Sequence, residues 1–273
     1  MSKTDTQNQN VIDRGYIAVA LQYKNRKQLI RDIQTAQDKK AEIIEIRFDY
    51  NDQLVSLLAE EDNNKFEDLK EEVFRTSEIF EIKKILKIPV IFTLRKKSQG
   101  GNLYIPEKVR LDLINYLATF QPDYIDIETD SDLSFIQELD KKVSKYGGKL
   151  ILSYHNWEKT PAAGHITKSI TEFIEKLPSI NHSNRNILKL IFTANHIQDN
   201  YRVLDICKKF KADNINLICF CMGGQGVPSR VSSIIFGGFL SFASIDEATA
   251  PGQVNIELFK KMLDKAIRLQ QEK

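Results

Sequence analysis

The sequence predicts an α/β fold, specifically a single-domain (β/α)8 TIM barrel. Eight short apolar runs alternate with charged segments of helical period along the chain. The length of 273 residues suits one large α/β domain or two small ones. A doubly wound open sheet is the alternative, but it usually carries a glycine-rich turn after its first strand. Here Gln22-Tyr23-Lys24-Asn25 fills that place.

Residues 1–13 are polar and are expected as a flexible tail ahead of a barrel domain over 14–273. Tyr16–Gln22 is the first expected strand and Lys27–Asp38 the helix after it. Glu42–Asp49 is the second strand. Leu54–Leu86 is helical in pattern, with a break around the polar stretch Glu61–Lys65. Pro89–Arg95 is the third strand, followed by a helix over Pro106–Phe120. Asp123–Glu128 and Lys149–His155 are the fourth and fifth strands, each followed by helical spacing, over Leu133–Tyr146 and Ile166–Leu177. Pro178 and a polar loop end the latter helix. Ile187–Phe192 is the sixth strand and Ile197–Phe210 its helix. Asn216–Cys221 and Phe239–Ser244 are the last two strands, and Ile256–Gln271 closes the pattern as a helix.

Composition narrows the function classes. Hydrophobic residues at 42% and charged residues at 28% are an ordinary soluble composition, and the net charge of +2 selects no polyanionic partner. Lysines are scattered among acids, with no basic block interleaved with aromatics, so a nucleic-acid partner is not expected. Apolar runs fall short of the ~18 residues of a transmembrane helix. The start, MSKTDTQNQN, shows no apolar secretory signal, so no membrane partner is expected. Three cysteines fit a reducing cytoplasm, and Cys219 and Cys221 read as core residues instead of a metal site.

The informative signal is charge inside strands. Lys189 sits within the run Ile187–Phe192 and shares a face with Ile187 and Ile191. An ammonium there is costly to desolvate unless it is paired or titrates, and a lysine whose pKa falls is a nucleophile for carbonyls. A lysine snorkelling to water from a strand end is the alternative. Glu45, Arg47 and Asp49 share one face of the second strand. Arg95 ends the third on the face of Ile91 and Thr93, and Ser153 and His155 share a face of the fifth. In a barrel the outward face packs on helices and is apolar, so these polar faces look inward, toward the mouth at the C-terminal strand ends where barrel enzymes build their sites.

A structural ion-pair ladder remains open for Glu45, Arg47 and Asp49, a core histidine for His155, and a solvated strand end for Arg95. As a group, buried charges cost several kcal/mol each unless paired, and their clustering at one end points to a polar ligand. Lys189 would form an imine with a ketone and His155 would act as general acid and base near neutral pH. Arg95, Arg47 and Glu45 would hold hydroxyls or a carboxylate. Two loops complete the mouth: Met222–Gly226 with Arg230 just after it, and Thr249-Ala250-Pro251-Gly252-Gln253, which has the composition of a lid.

These pieces together resemble the type I 3-dehydroquinate dehydratases. The likeness runs from Tyr16 to Gln253 through EIRFD (45–49), FTLR and GG (92–95, 100–101), SYHNWEKTP (153–161), ILKLIF with Lys189, MGGQGVPSR (222–230), FGG (236–238) and APGQ (250–253). The resemblance implies a hydro-lyase of the shikimate pathway, in aromatic amino acid biosynthesis, that converts 3-dehydroquinate to 3-dehydroshikimate and water. Lys189 would be the Schiff-base lysine and His155 the acid/base residue. Arg230 would take the substrate carboxylate; Glu45, Arg47 and Arg95 the ring hydroxyls; Thr249 and Gln253 the closing loop. It also implies a homodimer, and no cofactor. Gln99 departs from the pattern, standing where some members carry a glutamate that polarises the histidine. A glutamine can orient His155 but cannot stabilise an imidazolium by charge. Asp126 and Glu128, inward on the fourth strand, read as interior support. Two rivals stay open: another lysine-imine barrel acting on a sugar phosphate, and a non-catalytic barrel.

Overall fold

The computed structural model describes residues 14–59, 73–176, 186–245 and 250–271. Its strands are β1 (Tyr16–Gln22), β2 (Ile43–Arg47), β3 (Val90–Thr93), β4 (Tyr124–Glu128), β5 (Lys149–Asn156), β6 (Ile187–Thr193), β7 (Leu217–Met222) and β8 (Leu240–Ala243). All are parallel, in the order β7-β6-β5-β4-β3-β2-β1-β8. At the remaining seam the Phe239 N–H donates to the Leu217 carbonyl at 2.7 Å, so the sheet curls into a nearly closed barrel. The helices are α1 (Arg26–Asp38), α2 (Asp52–Ala59), α3 (Thr76–Ile85), α4 (Glu107–Leu117), α5 (Leu133–Ser144), α6 (Ala163–Lys176), α7 (Asp199–Ala212), α8 (Val227–Ser232) and α9 (Ile256–Gln271). The expected (β/α)8 architecture is the observed one.

Local chemistry sets the element ends. Asn25 caps α1 by accepting from the Gln28 N–H, and Asp132 caps α5 by accepting from the Phe135 N–H. α7 begins at Asp199, two residues later than expected, because the Asp199 carboxylate takes the Asn195 and His196 N–H groups at 2.9 and 3.1 Å and ends the preceding loop. β2 stops at Arg47, so Asp49 lies in a 3-10 turn (Phe48–Tyr50) and not on the strand. β3 likewise ends at Thr93, leaving Arg95 on the loop beyond it. The expected tail, the helix break around Glu61–Lys65 and the loop at Pro178 fall outside the described residues.

The alternation along each strand builds two cores. Outward residues such as Ile44, Ile46, Leu150, Leu152, Leu188 and Leu190 pack against the helices. Inward residues stack in layers, as a parallel barrel requires. The lower layers are apolar, with Ala18, Ile43, Ile91, Ile151, Ile187, Ile218 and Leu240 in one cluster. One pleat higher the same strands present Glu45, Thr93, Asp126, Ser153 and Lys189, all buried. Charge therefore begins halfway up the barrel and continues to the C-terminal mouth.

Candidate active site

Lys189 is at the floor of a cavity of about 530 Å³ that opens at the C-terminal ends of the strands. Its Nζ donates to Asp126 Oδ2 at 2.9 Å and lies 3.6 Å from Glu45 Oε1. The Phe242 ring sits below the ammonium, with the nitrogen 4.6 Å from its centroid. The lysine does not snorkel to water: it is 4% exposed. Asp126 Oδ2 also takes Arg95 at 2.7 Å, and Asp126 Oδ1 accepts from Ser153 Oγ at 2.6 Å. Burial alone would raise the Asp126 carboxyl, but Arg95 and Lys189 outweigh it and hold it well below the usual carboxylate range. Arg95 is held in turn by Glu128 Oε1 at 2.9 Å and by Ser153 Oγ at 2.6 Å. Its pKa is raised: burial opposes the charge, and Asp126, Glu128 and Glu45 together overcome that penalty.

His155 stands across the cavity at the top of β5. Its Nδ1 is sealed from solvent with no hydrogen-bond partner, while another part of the residue remains partly exposed at the mouth. Crowding by protein, then the cations Arg95 and Lys189, push the imidazole well below its ordinary pKa, against a smaller opposing pull from Asp126. The ring is thus held neutral, the form able to accept a proton. Gln99 does orient His155, but through the main chain: its Oε1 accepts from the His155 backbone N–H at 2.7 Å. Arg47 forks onto both oxygens of Asp49 at 2.8 Å and donates to the Gly100 carbonyl at 3.3 Å. The ion-pair reading of Arg47 and Asp49 is therefore real. It also aims the guanidinium along the cavity wall.

Arg230, from α8, is different from the other cations. It is 2% exposed, and among the described residues no carboxylate pairs with it. Its Nη2 donates to the Pro251 carbonyl at 3.1 Å, its Cζ lies 4.6 Å from the Phe220 ring centroid, and its Nε has no partner. Burial lowers its pKa to about 10. A buried guanidinium with a spare donor, facing a cavity, is a seat for an anion. The second loop is closed over it: the Pro251 carbonyl also accepts from the Gly223 N–H at 3.2 Å, and Gly252, at φ +74°, rests on the Gly223 backbone. Gly226 N–H is spent on the Gly223 carbonyl at 3.0 Å, so these loop amides are not laid out to cradle a phosphate.

Comparison with known proteins decides the family. The family described as Type I 3-dehydroquinase matches residues 17–269. This chain belongs to the type I 3-dehydroquinases. A 3-dehydroquinate dehydratase from Streptococcus gordonii is 34% identical over 199 residues, 71% of this chain and 81% of that protein. A solved 3-dehydroquinate dehydratase from Aquifex aeolicus aligns with a TM-score of 0.67 at 28% identity, covering 92% of this chain and 98% of that one. A type I enzyme from Clostridium difficile, solved with covalently modified comenic acid, gives a TM-score of 0.76 at 24% identity over 93% and 92% of the two chains. At that identity it speaks for the fold alone.

Of the residues expected at a type I 3-dehydroquinase site, Glu45, Arg47, Arg95, His155, Lys189, Arg230 and Gln253 all line the one cavity. Thr249 lies outside the described residues. Asp126, read as interior support, is the direct hydrogen-bond partner of Lys189. Its position on the inward face of β4 was the available signal. Trp157 and Phe242 also line the cavity. Nothing in a strand or loop pattern marks an aromatic as cavity lining when it reads equally well as core. Cys219 and Cys221 are buried on the outward face of β7, as core residues. Among the described residues no group of three His, Cys, Asp or Glu side chains is arranged to hold a metal ion.

Proposed function

We propose that Lys189 and His155 carry out the reaction of this chain, the dehydration of 3-dehydroquinate to 3-dehydroshikimate through a Schiff base. Arg230 takes the substrate carboxylate, its unpartnered Nε and cavity-facing position supporting that role. Arg47, Arg95, Glu45 and Gln253 line the wall and hold ring hydroxyls, and Thr249 belongs to the closing loop. Lys189 passes its proton to the neutral His155 and attacks the ketone carbon. The carbinolamine loses water, with His155 supplying and removing protons, to leave an iminium. The iminium draws electrons from the adjacent carbon, so His155 removes the C2 proton and an enamine forms. The enamine then expels the C1 hydroxyl, which leaves as water with the proton from His155. Hydrolysis of the imine consumes one water and returns the free lysine, so the net loss is one water.

The observation that carries this reading is the placement of Lys189. It is a buried amine at the floor of a cavity, with a neutral imidazole and a guanidinium that meets no carboxylate among the described residues lining the same space. Borohydride trapping with 3-dehydroquinate, followed by peptide mass mapping, tests it. An adduct on Lys189 that Lys189→Ala abolishes is the expected result. Product formation without an adduct sinks the imine mechanism.

The wider setting belongs to the same proposal. Three buried, free thiols fit a reducing cytoplasm, and among the described residues no helix is long and apolar enough to cross a membrane. The partner is the small-molecule substrate, with no nucleic acid or membrane. The family resemblance supports a homodimer. The barrel domain spans 14–273 with the 1–13 tail before it.

A further inference from the structure

The strongest unexplained feature is a buried arginine that does not touch the cavity. Arg110, on the outer helix α4, is 1% exposed. Each of its N–H groups has an acceptor. Nε and Nη2 fork onto Glu107 at 2.9 Å each, Nη2 also reaches Ser131 Oγ at 2.9 Å, and Nη1 reaches the Leu94 carbonyl at 3.1 Å and Glu128 Oε2 at 2.6 Å. Its pKa is raised, the acids Glu107 and Glu128 overcoming the penalty of burial. A buried guanidinium with every donor spent costs much to assemble, and interior packing alone does not demand it.

Its position in the charge chain supplies a reason. Glu128 presents one oxygen to Arg110 and the other to Arg95 and the Lys96 N–H. Arg95 spans Glu128 and Asp126. Asp126 Oδ2 is then divided between Arg95 at 2.7 Å and Lys189 at 2.9 Å. The firmness of Arg95 on Asp126 therefore decides how much of that carboxylate is left for the lysine. Arg110 satisfies the far oxygen of Glu128, so Glu128 draws less on Arg95, and Arg95 stays turned to Asp126.

We propose that Arg110 is a positioning residue for Lys189, acting through Glu128, Arg95 and Asp126 to keep the lysine from being locked to its carboxylate partner. This rests on Lys189 being the imine-forming residue. Without the Arg110 charge, Glu128 takes more of Arg95 and Asp126 passes to Lys189. The lysine then yields its free amine less readily, and the loss is greatest at low pH. The other charged or titratable groups facing Lys189 are Glu45 and Arg47 from β2, His155 from β5 and Arg230 from α8. None of them touches Arg110, but Glu45, Arg47 and His155 feel the charge of Arg95, so NMR titration of the His155 ring in each variant separates its own shift from that of the lysine.

The test is the pH dependence of the rate of borohydride-trapped adduct formation and of kcat/KM. It uses wild type, Arg110→Met, Arg110→Lys and the double variant Arg110→Met with Glu128→Gln. Arg110→Met is expected to move the acid limb up by about one pH unit, a tenfold loss on that limb, with the rate at high pH nearly restored. Arg110→Lys keeps the charge and is expected to keep the limb. The double variant removes the charge and its counter-charge together, and is expected to return the limb toward wild type. It also serves if Arg110→Met does not fold. Equal loss at every pH, or a double variant as impaired as the single one, shows Arg110 to be structural only and overturns the proposal. Wild type itself untrapped on Lys189 defeats the imine reading. Wild type trapped, with an unmoved limb in Arg110→Met, defeats this inference alone.

Discussion

Replacing Arg230 by methionine is expected to stabilise the fold while removing substrate binding. Arg230 is fully buried, and burial lowers its pKa from the ordinary arginine value to about 10, so its charged form is disfavoured inside the fold by about 3 kcal/mol. The contact with the Phe220 ring and the bond to the Pro251 carbonyl return about 1–2 kcal/mol of that. Methionine is flexible and similar in length, so it fills the same space with no charge to desolvate. The net expectation is a gain of about 1–2 kcal/mol, which for a chain this size raises the melting temperature by roughly 2–4 °C. Over the same change kcat/KM should fall at least about thirtyfold, because the substrate carboxylate loses its buried partner. Urea and thermal unfolding, read beside steady-state kinetics, measure both halves. Arg95→Met is the control. Arg95 is equally buried but paired with Asp126 and Glu128, so its loss should destabilise by about 3–5 kcal/mol. If Arg230→Met unfolds more easily than wild type, the guanidinium is compensated within the protein, and the argument that it waits for an anion fails.

Gln99→Glu places a carboxylate beside His155. With the Gln99 oxygen 2.7 Å from the His155 backbone nitrogen, its charge falls roughly 6 Å from the imidazole, worth about 3 kcal/mol at an effective dielectric of ~20. The midpoint of the ring's titration should rise by about 2 pH units, seen by NMR titration of His155. A midpoint that stays in place would show that the main-chain contact shields the ring from this position. Gly252→Ala should lower kcat/KM about tenfold and destabilise the fold by about 1 kcal/mol, because alanine is strained at φ +74° and the new methyl meets the Gly223 carbonyl oxygen and keeps the loop from closing. Stopped-flow fluorescence of Trp157, which lines the same cavity, should report slower closure. Stability should also fall as pH drops through about 6.5. The folded state keeps His155 neutral while the unfolded chain takes up a proton there, with a slope of up to about 1.4 kcal/mol per pH unit. Asp126, held low, adds its own loss only below about 3.8. Urea midpoints between pH 7 and 5 should flatten in His155→Gln, and an unchanged slope would refute the burial argument.

The sequence by itself determined the barrel and most of the site residues. Strand periodicity is a local property, so alternation in Ile187–Phe192 or Lys149–His155 already sends Lys189 and His155 to the inner face. The parallel architecture then brings those faces to one mouth. Strand ends were less legible. Asp49 sits in a turn and Arg95 on a loop, Asp49 accepting from the Asn102 N–H and Arg95 donating to Glu128, and those partners are distant in the chain. Only the tertiary structure decided who pairs with whom. Asp126 faces Lys189 across the barrel from 63 residues away, Gln99 grips the His155 main chain and not its ring, and Arg110 reaches the charge chain from outside the barrel. Arg230, buried with no carboxylate partner among the described residues, is the clearest case. A sequence shows that an arginine is present, but pairing energy depends on distance and burial, which the chain acquires only when distant segments close around it.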